Sequence, residues 1–226
     1  MVANRIPINS AKRRTTQRYL GLAILLISLV VASSFLGFTY RANALFDTLL
    51  LEEARAFQKE IALVRRWVRE NGGVYVRRGN MKGDPKEIVI DQDGELLQQR
   101  NTSQVTQELS HLSHQAGIVQ FGSTSIAPLN PFNTPDDFEL DGLAKLRNGQ
   151  AEVYGYEVID GRLMFRYMSP LITQKKCLDC HTDGSFQAGR VDSVLTFRIP
   201  ADAIDKEKHL NSAWMALSGA GVVVLV

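Results

Sequence analysis

Residues 19–40 read YLGLAILLISLVVASSFLGFTY, twenty-two positions without a charged side chain, and Arg41 ends the run. A helix of that length crosses the ~30 Å hydrocarbon core of a bilayer, and Tyr19 and Tyr40 stand where interfacial aromatics belong. A cleavable signal peptide has an apolar region of only about 7–15 residues, so the run reads as an uncleaved anchor. From 42 to 70 the spacing becomes three-to-four. Phe46, Leu49, Leu50, Phe57, Ile61, Val64 and Val68 recur against Glu52, Glu53, Lys59, Glu60 and Arg65 on other faces. This predicts an amphipathic helix that ends at Asn71-Gly72-Gly73. No Pro or Gly separates it from the apolar run, so the two are expected to form one rod.

Beyond Gly73 the period is two. Residues 74–76 predict a short strand, and 117–127 another. Residues 87–99 carry Asp93-Gly94 between IVI and LL, and 153–171 carry Asp160-Gly161 with Leu163, Phe165 and Tyr167 alternating. Both are hairpin signals. Residues 191–199 put Leu195, Phe197 and Ile199 on one face ahead of Pro200. Two helices interrupt the strands. One, over 102–116, places Val105, Leu109, Leu112 and Ala116 on an inward stripe. The other opens with Thr134 as cap, Pro135 in the first position and Asp136 and Asp137 as first-turn acids, and runs to Asn148-Gly149. Antiparallel strands with helices grouped beside them predict an α+β fold, a PAS-like antiparallel sheet domain with flanking helices.

The last stretch, 210–226 (LNSAWMALSGAGVVVLV), is again uncharged. It is at the short limit for a span, and a buried core helix is the alternative. Trp214, the Ser-Gly-Ala-Gly run and the charged KEKH upstream suit the start of a second membrane helix. The chain then reads as a receptor ahead of its cytoplasmic part.

Composition, 45 % hydrophobic and 22 % charged, excludes a disordered chain. Charge orients it. Arg5, Lys12, Arg13, Arg14 and Arg18 put five positive charges and no acid before the apolar run, which leaves a net −3 beyond it from the chain's +2. Basic residues beside a span stay in the cytoplasm. Residues 1–18 are therefore read as a cytoplasmic tail, 19–40 as the membrane helix and 41–209 as an extracytoplasmic domain, periplasmic in a bacterial inner-membrane protein. The basic cluster is a tail rather than a folded face, so nucleic acid is not an expected partner.

Both cysteines fall in Cys177-Leu178-Asp179-Cys180-His181. C-x-x-C-H is the c-type haem attachment pattern. Two thiols at that spacing bond the two vinyl groups of one porphyrin, and the adjacent imidazole becomes an axial iron ligand. One covalent haem c is expected, with Cys177 and Cys180 as thioethers and His181 as proximal ligand. A thioredoxin-type pair opens a helix in a βαβ setting, which is not the context here. A disulfide at this spacing closes a tight loop that stabilises little. Zinc could draw on His111 and His114, yet that pair lies about sixty-five residues upstream and reads as two solvated side chains. For the sixth iron position Met164, Met168, His111 and His114 are the candidates. If Leu163, Phe165 and Tyr167 own the core face, both methionines turn the other way.

Four segments in order, Asn71-Gly-Gly-Val-Tyr-Val76, Pro128-Leu-Asn-Pro-Phe-Asn-Thr-Pro-Asp136, Phe165-Arg-Tyr-Met-Ser-Pro-Leu171 and Cys177-Leu-Asp-Cys-His181, resemble the Tll0287-like (DUF3365) haem c domain over about 46–203. The resemblance implies a PAS-like extracytoplasmic input module between two membrane helices, ahead of a HAMP region and a histidine kinase or related output. It also implies haem-binding roles for Cys177, Cys180 and His181. Relatives usually show Tyr-Met-Thr-Arg-Gln where this chain has 104–108 (QVTQE), and Gly-Gly where it has Asp192-Ser193-Val194; if that methionine faces the iron in relatives, the distal ligand here is different or absent.

These readings lead to a membrane-anchored haem c sensor that responds to redox state or a small ligand such as a gas, with a homodimer through the membrane-proximal helix suggested by receptor architecture. The alternative is a membrane-tethered monohaem cytochrome passing single electrons between partners. A non-haem module with a disulfide or zinc clip is a third reading. No Ser/His/Asp order, phosphate loop or paired carboxylates point to an enzyme.

Overall fold

A computed structural model describes residues 10–77, 88–90, 93–94, 96–179 and 181–225. Two compact units divide the chain, one of residues 49–202 and the other of its two ends. Helix α1 (Ser10–Glu70) is continuous for 61 residues, as the absence of a breaker predicted. Among the described residues it is the one helix long and apolar enough to cross a membrane. Ala42-Asn43-Ala44 has the Ala-x-Ala spacing of a cleavage site and lies inside this helix. Leu22, Leu25, Leu26, Leu29, Leu36 and Phe38 are exposed, an apolar surface without protein cover.

The unit 49–202 begins with the C-terminal part of α1, which buries Leu50, Ala54 and Val68. Strands β1 (Val74–Arg77), β2 (Ile88–Ile90) and β3 (Leu96–Arg100) form an antiparallel sheet in the order β1-β3-β2. The Asp93-Gly94 hairpin joins β2 to β3 with Ile90 opposite Leu96. Helix α2 (Thr102–Gln115) follows an Asn101–Gln104 capping box, then come β4 (Gln120–Ser125) and α3 (Asp137–Arg147). Strands β5 (Val153–Ile159), β6 (Arg162–Ile172) and β7 (Val191–Pro200) complete a four-stranded antiparallel sheet ordered β4-β7-β6-β5. The β5–β6 turn has positive φ at both Asp160 and Gly161, which is what a two-residue hairpin between right-twisted strands requires. The fold is α+β.

Helix α2 departs from expectation. Its buried residues are Thr106 and Ser110, while Leu112 is 61 % exposed. Hydrogen bonds decide its rotation: Ser110 Oγ accepts the Phe121 amide at 3.0 Å, and Thr106 Oγ1 accepts from Arg65 Nη1 at 2.8 Å. Buried donors must find partners, and these outrank the apolar stripe. The start of α3 also differs. Asp136, rather than Thr134, is the cap, in a reciprocal box with Glu139, so Pro135 precedes the helix.

Strand β6 is buried on both faces from Phe165 to Ser169. On one face Phe165 and Tyr167 join an aromatic layer with Phe121, Phe197 and Tyr156; Tyr156 meets Phe165 edge-on at 5.3 Å. On the other, Met168 packs with Leu143, Leu146, Val153 and Val194, and Arg166 lies 4.5 Å over the Phe138 ring. Arg166 pairs with Asp136, Glu139 and Glu157. From the α1 side, Arg55 Nε donates to Glu152 Oε2 at 3.1 Å, and Glu152 also accepts the Tyr167 hydroxyl at 3.0 Å.

These carboxylates predict an acid limit. Desolvation alone would raise the Asp136 carboxyl, but bonds from Arg166, the Glu139 amide and Arg198 outweigh it and hold it below its ordinary value. Arg55 does the same for Glu152. A carboxyl whose folded pKa lies below its unfolded one stabilises the fold above the unfolded value, about 4, and that contribution is lost as pH falls through the folded value. Urea unfolding should give constant stability from pH 7 to about 5 and a decline below about 4, shallower in D136N. A D136N profile identical to the native one would contradict this.

The remaining unit holds α4 (Asp202–Leu225) and the N-terminal part of α1. Lys208 pairs with Asp47, and a Cβ on Gly219 would meet the Phe35 ring at 3.3 Å, so glycine permits that close approach. The segment 210–226, read as the start of a membrane helix, is helical in its described part.

Candidate functional site

Strands β6 and β7 present the loop 173–190, which carries the C-x-x-C-H sequence. Its base is closed by the Thr173 amide on Arg190 O and the Gly189 amide on Thr173 O, both at 2.8 Å. Asp192, 1 % exposed at the start of β7, holds the loop from inside. Its Oδ2 accepts the Thr173 hydroxyl at 3.1 Å and the Gln187 amide at 2.8 Å, and Arg147 of α3 stands 3.5 Å from its Oδ1. Asp192 is thus the loop's anchor.

Within the loop a short 3-10 turn, Lys175–Asp179, carries Cys177. The Cys177 amide donates to Gln174 O at 2.9 Å, its Sγ accepts the Gln174 amide at 3.3 Å, and the His181 amide returns to Cys177 O at 3.1 Å. Cys180 lies outside the described residues. The His181 ring stacks on buried Phe186 with centroids 3.7 Å apart. Its Nδ1 is buried and has no hydrogen-bond partner among the described residues. A buried imidazole nitrogen left unsatisfied is costly in a purely structural histidine. The half-buried thiol and the fixed imidazole are the chemistry that covalent haem attachment asks for, so the described residues fit the group.

Cys177 borders a crevice of about 250 Å³ whose other wall is α1, through Gln58, Ala62, Arg65, Arg66 and Arg69. Pro170, Leu171 and Phe186 form its apolar side. Burial, with Arg69 adding repulsion, pushes the Arg65 guanidinium down to about 10, although the Cys177 thiol acts in the opposite sense. Arg65 stays charged at neutral pH. Helical spacing assigned it to an outer face, and nothing local in the sequence relates it to residue 177.

The remaining candidates are elsewhere. Met168 is fully buried, its Sδ 2.5 Å from where a Cβ on Gly142 would stand, in the cluster below α3. This corrects the expectation that only Leu163, Phe165 and Tyr167 face the core. Met164 is half-buried opposite Glu157 and Pro200. His111 and His114 are exposed on α2 and border a different hollow of about 880 Å³, which Cys177 does not line. The arginines that border that hollow have carboxylate partners, Arg100 in Glu108 and Arg198 in Asp136. Among the described residues no three His, Cys, Asp or Glu side chains converge as a metal site.

Comparison with known proteins gives one match: the family model described as Tll0287-like covers residues 43–196. No curated protein and no solved structure matches the chain.

Proposed function

Because the chain belongs to the Tll0287-like family, we propose that it is a membrane-anchored haem c sensor module whose main domain lies in the bacterial periplasm. Cys177 and Cys180 would hold the porphyrin as thioethers, and His181 would be the proximal ligand. Bound haem supplies a one-electron iron centre with a sixth position for a ligand.

The observation that carries the reading is the pinned loop: Asp192 anchors the segment that bears Cys177 and His181, the His181 ring stacks on Phe186, and Cys177 borders a crevice against α1. Five basic residues ahead of the apolar run support a cytoplasmic N-terminus. Helix α1 carries both the apolar stretch and the side chains facing Cys177. A change of charge or ligation beside Cys177 therefore acts on Arg65 and Arg69 and biases α1. The bias equals the difference in interaction between the two states. A HAMP-type or kinase output and a homodimer through α1 belong to this reading.

The coordination of the iron separates the sensor from an electron carrier: an open sixth position suits ligand sensing, and six-coordinate iron suits a carrier. The full chain, matured with haem in detergent and reduced, should show a high-spin spectrum that shifts when carbon monoxide is added. A low-spin reduced spectrum indifferent to carbon monoxide would favour the membrane-tethered cytochrome.

A further inference from the structure

Six arginines of the folded unit, Arg55, Arg100, Arg147, Arg162, Arg166 and Arg198, each meet a carboxylate within 4 Å. Among the described residues Arg65, Arg66 and Arg69 meet none. These three border one crevice with Cys177, and the only described hydrogen bond among them runs from Arg65 to the neutral Thr106 hydroxyl. Residues 65 and 69 are one helical turn apart, a spacing at which like charges repel. Desolvation adds to the cost at Arg65. A domain that pairs six of its arginines with carboxylates and gathers these three around a recess has built a surface for an anion from outside the polypeptide.

We infer that Arg65, Arg66 and Arg69 form a site for carboxylate- or phosphate-type oxyanions on α1, facing the attachment loop. Guanidinium forks suit such groups because each can donate two parallel hydrogen bonds to a planar or tetrahedral anion. The crevice, about 250 Å³, takes the anionic edge of a larger molecule or a free oxyanion. Two sources share this chemistry: the propionate carboxylates of a haem attached at Cys177, and a dissolved oxyanion. The first source rests on the haem reading; the second does not. The residues between Gln58 and Arg69 extend about 16 Å along α1 at 1.5 Å per residue. This leaves room for a contact well away from the thioether edge.

The test uses the full chain in detergent, native and R66Q/R69Q, each with haem attached and as the haem-free C177S/C180S form. The R66Q/R69Q variant keeps the Arg65–Thr106 bond and hence the local fold; R65Q/R66Q/R69Q completes the series. If propionates occupy the site, R66Q/R69Q lowers the midpoint potential of the haem-loaded chain by at least tenfold in the redox equilibrium, 59 mV for one electron. Inorganic phosphate at fixed ionic strength then raises the Tm of the haem-free native form only. If a free oxyanion occupies it, phosphate raises the Tm of the haem-loaded native chain and not that of R66Q/R69Q. An unchanged potential together with a phosphate response equal in native and variant chains overturns the site. Should no haem attach at all, the haem-free comparison still decides for or against the arginines, so the two proposals fail separately.

Discussion

Replacing Arg166 with leucine is expected to cost the domain about 3–5 kcal/mol, the range for breaking a buried ion pair by removing one partner. Its side chain is 1 % exposed, and three carboxylates rely on it: Glu157 at 2.6 Å, Asp136 at 2.8 Å and Glu139 at 3.1 Å. Glu139 is the decisive one, because it is 2 % exposed. The Thr196 hydroxyl donates to it at 2.9 Å, and Arg198 stands 3.6 Å away, too far to replace Arg166. For a domain of this size the change corresponds to a fall of roughly 10 °C in Tm. Removing both charges in E139L/R166L should recover part of the loss, since a buried pair replaced by apolar groups is often neutral. A single R166L variant that loses less than about 1 kcal/mol by urea titration would contradict this account of the sheet.

Asp192 is the second position of large effect, and its consequence reaches the site. D192A leaves the Thr173 hydroxyl and the Gln187 amide without their acceptor and Arg147 without its counter-charge. Hydrogen bonds to a charged group contribute about 1.5–3 kcal/mol each, so a loss of about 2–4 kcal/mol is expected, most of it in the loop 173–190. Amide exchange in that loop should accelerate well before exchange in β6, and the fraction of chain that retains haem should fall. D192N, which keeps an acceptor oxygen but not the charge, should lie between. Exchange that rises equally throughout the domain would show that Asp192 serves the sheet rather than the loop.

What could be read in the sequence was local. Asp93-Gly94 and Asp160-Gly161 force a hairpin by backbone conformation alone, and C-x-x-C-H is legible because its members are sequence neighbours. The amphipathic helix ending at Gly72 was equally plain. Alternation misled at β6, because period-two logic supposes one covered face, whereas α3 covers the second and buries Arg166 and Met168. The stripe of α2 misled for a different reason. Ser110 and Thr106 turn inward to satisfy Phe121 and Arg65, residues far away in the chain. Helical period gives the face of Arg65, Arg66 and Arg69 but not the loop opposite, and Asp192 gains its role from Thr173, Gln187 and Arg147. Pairings of that kind are set by topology and leave no local pattern.

The central claim is that this loop attaches haem, and the mass of the denatured chain tests it most directly. The full chain is produced with cytochrome c maturation machinery, exported, unfolded in acid and weighed intact. The account predicts the polypeptide mass plus one haem, with the added mass absent from C177S/C180S and a reduced spectrum altered in H181A. A folded native chain that yields the bare polypeptide mass, with no haem retained through denaturation, would contradict it.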